Sequence, residues 1–111
     1  MDGMTLEEFE KQVLSTCLRS PIVASVAVCG SGITWLRLRV YLVNGSFIEA
    51  YCNESVGRVA FALVQEGRRI LGADNTGGWH WHPYEDPDSH SAAEAEIAFE
   101  AFLQLVAEKM E

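Results

Sequence analysis

Apolar positions recur at helical spacing near both ends of the chain and at alternate positions between them. Leu6, Phe9, Val13 and Cys17 form one stripe, widened by Leu14 and Leu18. Thr5-Leu6-Glu7-Glu8 has the form of a capping box. The Thr5 hydroxyl can accept the Glu8 amide while the Glu8 side chain returns to Thr5. Ser20-Pro21 stops the run, because a residue before proline is pushed out of the α region. A helix is therefore expected over about 5–19.

From Ile22 the period changes to two. Ile22–Cys29 reads as a strand, Gly30-Ser31-Gly32 as a turn, and Thr34–Val43 as the clearest strand. In that strand Leu36, Leu38, Val40 and Leu42 share one face, and Arg37, Arg39 and Tyr41 share the other. Val43-Asn44-Gly45 turns the chain. A two-residue loop would place Glu49 on the apolar face. A three-residue loop with Gly45 left-handed pairs Val40 with Ile48 and Leu38 with Ala50, and is preferred. The polar face then collects Arg37, Arg39, Tyr41, Glu49 and Tyr51. Val56–Gln65 is apolar on both faces, as a strand buried on both sides would be. Gln65-Glu66-Gly67 is read as another turn of the same kind, and Arg68–Ala73 as a fifth strand. Ser91-Ala92-Ala93-Glu94 is a second capping box, opening a helix over about 92–109 with Ala95, Phe99, Phe102, Val106 and Met110 inward. The expectation is a single α+β domain over 1–111. A five-stranded, mainly antiparallel meander sheet spans about 22–74, with an N-terminal and a C-terminal helix packed on it.

The doubly apolar fourth strand also predicts a homodimer. If both helices cover Val59, Phe61 and Leu63, the other face holds Ala60, Ala62, Val64 and Ile70 near Val43 and Phe47, too apolar for open solvent. The alternative is one helix on each face and a monomer.

Composition narrows the setting. Of 111 residues, 49% are hydrophobic, which excludes a disordered chain. No apolar run reaches the ~18 residues of a membrane span, and Met1-Asp2-Gly3-Met4 lacks a signal-peptide layout, so no membrane partner is expected. Cys17, Cys29 and Cys52 are odd in number and match no zinc spacing. They suit a cytoplasmic protein with cysteines as small core residues. The net charge of −8 is uneven. Residues 1–10 carry four acids and no base, and residues 85–111 carry eight acids and one lysine. Residues 11–84 carry seven Lys or Arg against four acids, so the acidic average can hide a basic face.

Chemistry concentrates in residues 77–90, Gly77-Gly78-Trp79-His80-Trp81-His82-Pro83-Tyr84-Glu85-Asp86-Pro87-Asp88-Ser89-His90. All three histidines lie here, with two of the three tryptophans. In an extended backbone His80 and His82 share one side, about 7 Å apart at Cα, and Trp79 and Trp81 share the other. The indoles can then anchor the segment in the core while the imidazoles face a cleft.

The run Gly72-Ala73-Asp74-Asn75, then Trp79-His80-Trp81-His82-Pro83 and His90, resembles the TumE-type toxin family of prokaryotic toxin–antitoxin systems. The likeness covers residues 33–90. It departs from the family in alternating histidine with tryptophan where the family pairs adjacent histidines, and in its flanking helices. The resemblance implies a toxin acting on RNA or translation, with a cognate antitoxin protein, and points to Asp74, Asn75, His80, His82 and His90.

Two chemistries fit. In one, His80, His82 and His90 serve as general acid and base on an RNA 2′-hydroxyl and leaving oxygen. Arg37, Arg39, Tyr41 and Tyr51 then balance phosphate charge, and Asp74 and Asn75 help bind substrate. In the other, His80 and His82 bind a divalent metal, completed by His90, Asp88 or Glu85. A reading of a different class is a non-catalytic module that binds a partner protein, for which the doubly apolar strand and the acidic last helix are the motive.

Overall fold

A computed structural model describes residues 4–83, 91–93 and 95–110. Among these the element order is α1 (Leu6–Leu18), β1 (Val23–Ser31), β2 (Trp35–Leu42), β3 (Phe47–Asn53), β4 (Arg58–Gln65), β5 (Arg68–Asp74), β6 (His80–His82), β7 (Ser91–Ala92) and α2 (Phe99–Lys109). The architecture is α+β, and the sheet is an antiparallel meander in chain order. It has seven strands where five were expected. The two additions come from the His/Trp segment and from residues that the sequence assigned to the last helix. No helix among the described residues is long and apolar enough to cross a membrane.

The capping box at α1 forms as read. The Glu8 amide donates to the Thr5 hydroxyl at 3.1 Å, and the Thr5 amide donates to Glu8 at 3.0 Å. The Leu6 amide donates to Glu54 at 2.9 Å, tying the helix start to the turn after β3. The β2–β3 register is the expected one, with Val40 opposite Ile48, Leu38 opposite Ala50, and Gly45 at φ 92°.

Both helices pack on one face of the sheet. Phe9, Val13 and Cys17 of α1 and Phe99, Phe102, Leu103 and Val106 of α2 meet Leu36, Leu38, Val40, Ile48, Ala50, Phe61, Leu63 and Leu71 in one core. Phe61 is its hub, with Phe9, Phe99, Phe102 and Trp79 all in ring contact. Among the described residues the opposite face carries no helix. Strand β4 is central, but Ala60, Ala62 and Val64 on the open side are only half-buried.

Three expectations are corrected. The turn after β4 is a two-residue one, since Gln65 pairs with Arg68, and Glu66 and Gly67 have φ of 53° and 78°. Left alone, that turn would put Leu71 on the open face. A bulge between Leu63 and Val64 restores Leu63 opposite Leu71. Ile70 is the extra residue. It sits by Val106 and Met110 on the helix side, not with Val64, and Arg69 takes the open-face place opposite Val64. The second capping box does not open a helix: Ser91 and Ala92 pair with Trp81 and His80, which requires extended backbone. Helix α2 starts at Phe99, behind Ala98 with no side-chain cap, so Ala95 precedes it and is exposed. The third is Cys29, which is exposed at a β1 irregularity, whereas Cys17 and Cys52 are core residues.

Burial pushes the Cys17 thiol up to about 11, and burial with the Glu54 carboxylate does the same to Cys52. A thiol-specific reagent at neutral pH is therefore expected to label Cys29 alone in the native protein, and all three cysteines only in denaturant. Mass spectrometry of labelled peptides checks this. Rapid native labelling at Cys17 or Cys52 would contradict the packing of α1 on the sheet.

Candidate metal centre on the open sheet face

The site is a consequence of one hairpin. Strand β5 ends at Asp74, the chain turns through 75–79, and β6 returns antiparallel with Asp74 opposite His80 and Gly72 opposite His82. Gly77 and Gly78 have φ of 68° and 105°, a region that side-chain-bearing residues avoid. Asn75 clips the turn to β4: its side chain accepts from the Val59 amide at 2.9 Å and donates to the Gly57 carbonyl at 2.8 Å. Alternation then separates the functions of β6. Trp81 stacks on Phe102 of α2, 6.0 Å between centroids and 7° between planes, and Trp79 stacks on Phe61 at 6.3 Å. His80 and His82 face the other way, onto the helix-free side.

There they converge on one carboxylate. His82 Nε2 lies 3.0 Å from Asp74 Oδ2, and His80 Nε2 lies 3.3 Å from Asp74 Oδ1. The two rings stand 5.0 Å apart at 66°. The three side chains are only 10–17% exposed. Their ligating atoms all lie within 4.8 Å of one another.

Proton bookkeeping at His80 is informative. Its Nδ1 is 3.0 Å from the Gly78 carbonyl oxygen, which can only accept, so Nδ1 carries the hydrogen. In the neutral ring Nε2 then presents a lone pair 3.3 Å from a carboxylate oxygen. That arrangement is repulsive unless a second proton or a cation lies between them. A ring N–H held by a backbone carbonyl, with the other nitrogen presented to an anionic neighbour, is the arrangement that orients histidine ligands around metals. Two ligands each about 2.0–2.1 Å from a tetrahedral zinc stand roughly 3.3 Å apart, close to the two histidine–carboxylate distances here.

Asp74 is suited to that role. Burial alone would raise its pKa, but the Thr76 amide at 3.0 Å, the hydrogen bond from His82 and the nearby imidazoles outweigh it and hold the carboxyl below its ordinary range.

The other expected site residues divide. Arg37, Tyr51 and Asp74 line one groove on the open face. Arg39 does not join them: it pairs with Glu49 at 2.8 Å, which raises its pKa, and lies over the Phe47 ring at 4.2 Å. Tyr41 stands beside Phe47, and Asn75 is the turn clip described above. His90, with Glu85 and Asp88, lies outside the described residues. The third ligand among the described residues is Asp74, which the sequence placed with substrate binding. The available signal was Gly77-Gly78: a tight turn there folds residue 80 back onto residue 74. Arg58 and Arg69 also line the groove and were not singled out. For Arg69 the reason is the turn, which is one residue shorter than expected and so reverses its face.

No known family profile, curated protein or solved structure matches this chain.

Proposed function

We propose that Asp74, His80 and His82 hold a divalent cation, zinc being the best match to two imidazoles and a carboxylate, and that the protein uses it on RNA as a toxin-like phosphodiesterase. The observation that carries the cation is the convergence of both Nε2 atoms on one carboxylate, with the His80 tautomer set by Gly78. Catalytic zinc sites combine three protein ligands with a position for water or a phosphate oxygen, and Asp74, His80 and His82 supply three among the described residues. A cation there would lower the pKa of bound water and polarise the phosphodiester. RNA as substrate, a cognate antitoxin as partner and a cytoplasmic setting come from the likeness to TumE-type toxins in residues 72–75, 79–83 and 90.

The test is metal analysis together with RNA cleavage. The protein purified without chelator is expected to carry zinc and to cleave mixed RNA, and chelator is expected to abolish cleavage that added zinc restores. Cleavage that survives chelator and is lost in a His80→Ala, His82→Ala double variant would instead support metal-free acid–base catalysis. The 3.0 Å His82–Asp74 contact gives that second reading its footing. No cleavage under either condition would sink the enzyme reading and leave a binding module.

A homodimer belongs to the same proposal. Its surface would be the apolar end of the open face, where Tyr41, Val43, Phe47 and Val64 gather at the β2–β3 turn, away from Asp74. Val43 is 62% exposed in the single chain. Sedimentation at micromolar concentration is expected to give a dimer that Val43→Lys dissociates. A soluble monomer of 12.3 kDa would end the idea.

A further inference from the structure

The open face carries three guanidinium groups that no carboxylate among the described residues answers. Arg37, Arg58 and Arg69 line one groove of about 340 Å³, with Tyr51 at its side and Ala60 and Ala62 among its lining. Among the described residues none of the three arginines forms an ion pair, whereas Arg19 and Arg39 do. Glu49 borders the groove, but its carboxylate is taken by Arg39. The remaining acid is Asp74, so the groove runs up to the histidine cluster.

The layout favours a chain of anions over a single one. Arg58 sits opposite Asn53, and Arg69 opposite Val64, six residues further along β4. At about 3.3 Å per residue their backbones are roughly 20 Å apart. Arg37 comes from β2, near the middle of that span, opposite Tyr51, which is itself opposite Ala60. Its guanidinium lies 5.1 Å from the Tyr51 ring and 5.5 Å from the Trp35 ring, which holds it in place without neutralising it. Alanines at positions 60 and 62 let a ligand approach the sheet closely. Positive charge strung along a groove, with an aromatic ring beside it, is how proteins track a single strand: arginine on phosphates and a ring under a base. The acids that give the chain its net charge of −8 lie mostly in residues 1–10 and 85–111, not among these strands.

We propose that this groove is the substrate subsite of the cation centre. It takes single-stranded RNA, with Arg37, Arg58 and Arg69 on its phosphates and Tyr51 against a base, and leads the strand to Asp74. The inference rests on the RNA-directed reading and names the part of the chain that would recognise the strand.

The test is fluorescence anisotropy of a short labelled oligouridylate with the full chain, chelator-treated so that nothing is cleaved, over a range of salt. Three phosphate contacts predict a slope of log K against log salt of about −2, at roughly 0.7 per phosphate on a single strand. The Arg58→Gln, Arg69→Gln double variant is expected to bring the slope to about −0.7 and to weaken low-salt binding on the order of tenfold or more. Both residues are exposed, so the variant should melt as the parent does. Tyr51→Leu is expected to lower affinity with the slope unchanged. The proposal is overturned if the oligonucleotide does not saturate the protein at low salt, if the double variant keeps the parent slope, or if inorganic phosphate competes as well as the strand does per phosphate. A chain that binds the oligonucleotide but no zinc keeps this subsite and removes the cation. A chain that binds zinc but no oligonucleotide does the reverse.

Discussion

His82→Ala protein is expected to come through purification without zinc and to cleave RNA no faster than buffer, while staying folded at a cost of about 1–3 kcal/mol. The metal side of this follows from ligand count. Among the described residues the proposed centre has three candidate ligands, and removing one leaves a carboxylate and a single imidazole. Losing even a residue that only orients a ligand typically costs 10–100-fold in metal affinity, so losing a ligand should cost on the order of 10²-fold or more. The stability side follows from packing. His82 is buried, but it lies on the face opposite the core, where its neighbours among the described residues include Asp74, His80 and the backbone of Gly72. Its removal opens no hole beneath the helices. Asp74 loses one hydrogen bond, worth about 1–3 kcal/mol when the acceptor is charged. Zinc content, cleavage rate and a denaturant melt on the same preparation check all three parts. If His82→Ala unfolds the domain outright, the histidines are structural and the enzymatic reading loses its main support.

Phe61→Ala is expected to have the largest effect on stability, about 3–5 kcal/mol, out of the 5–15 kcal/mol by which domains of this kind are stable. The ring is 4% exposed and has four aromatic neighbours drawn from every layer: Phe9 of α1 at 6.5 Å, Phe99 and Phe102 of α2 at 5.5 Å each, and Trp79 of the β5–β6 connection at 6.3 Å. None of these can close the gap without leaving its own contacts, so the cavity term adds to the lost transfer energy. A second consequence distinguishes Phe61 from Phe9. Trp79 loses the ring it stacks on, and Trp79 positions the strand that carries His80 and His82. Zinc affinity should therefore fall in Phe61→Ala even where the protein remains folded. Phe9→Ala should destabilise without that effect, since its ring contact among the described residues is with Phe61 and not with an indole of the hairpin. Denaturant melts and zinc titrations of the two variants decide this. Equal zinc affinity in both would mean that the indole does not position the site.

Periodicity made the first half of the chain legible. The α1 capping box, the alternation of β2 and the choice of a three-residue β2–β3 loop all follow from local rules, because in each case only one register keeps apolar groups together. The alternation of tryptophan and histidine over 79–82 likewise gave the two sides of β6 correctly. What escaped was set by long-range pairing. A three-residue strand has too little sequence to announce itself, and β6 exists because Gly77-Gly78 folds it onto β5. Strand β7 in turn exists because β6 offers it an edge, which overrides the helix-cap signal of Ser91-Ala92-Ala93-Glu94. The bulge at Ile70 is a compensation for a turn one residue shorter than expected. The shorter turn moved Ile70 to the helix side and delivered Arg69 to the groove, and the bulge returned Leu71 to the core. Asp74 was noticed as part of a motif, but its meeting with both imidazoles depends on the β5–β6 register, which no spacing along the chain reveals.

The most direct test of the cation centre is equilibrium dialysis of the chelator-stripped full chain against cobalt(II), a spectroscopically visible substitute for zinc. One cobalt bound per chain, with the intense visible absorption of a four- or five-coordinate site and displaced by zinc, is the expected result, and Asp74→Asn should lose it along with His80→Ala and His82→Ala. A chain that binds no cobalt, or binds it equally well after Asp74 is changed, would contradict the assignment of Asp74, His80 and His82 as a metal centre.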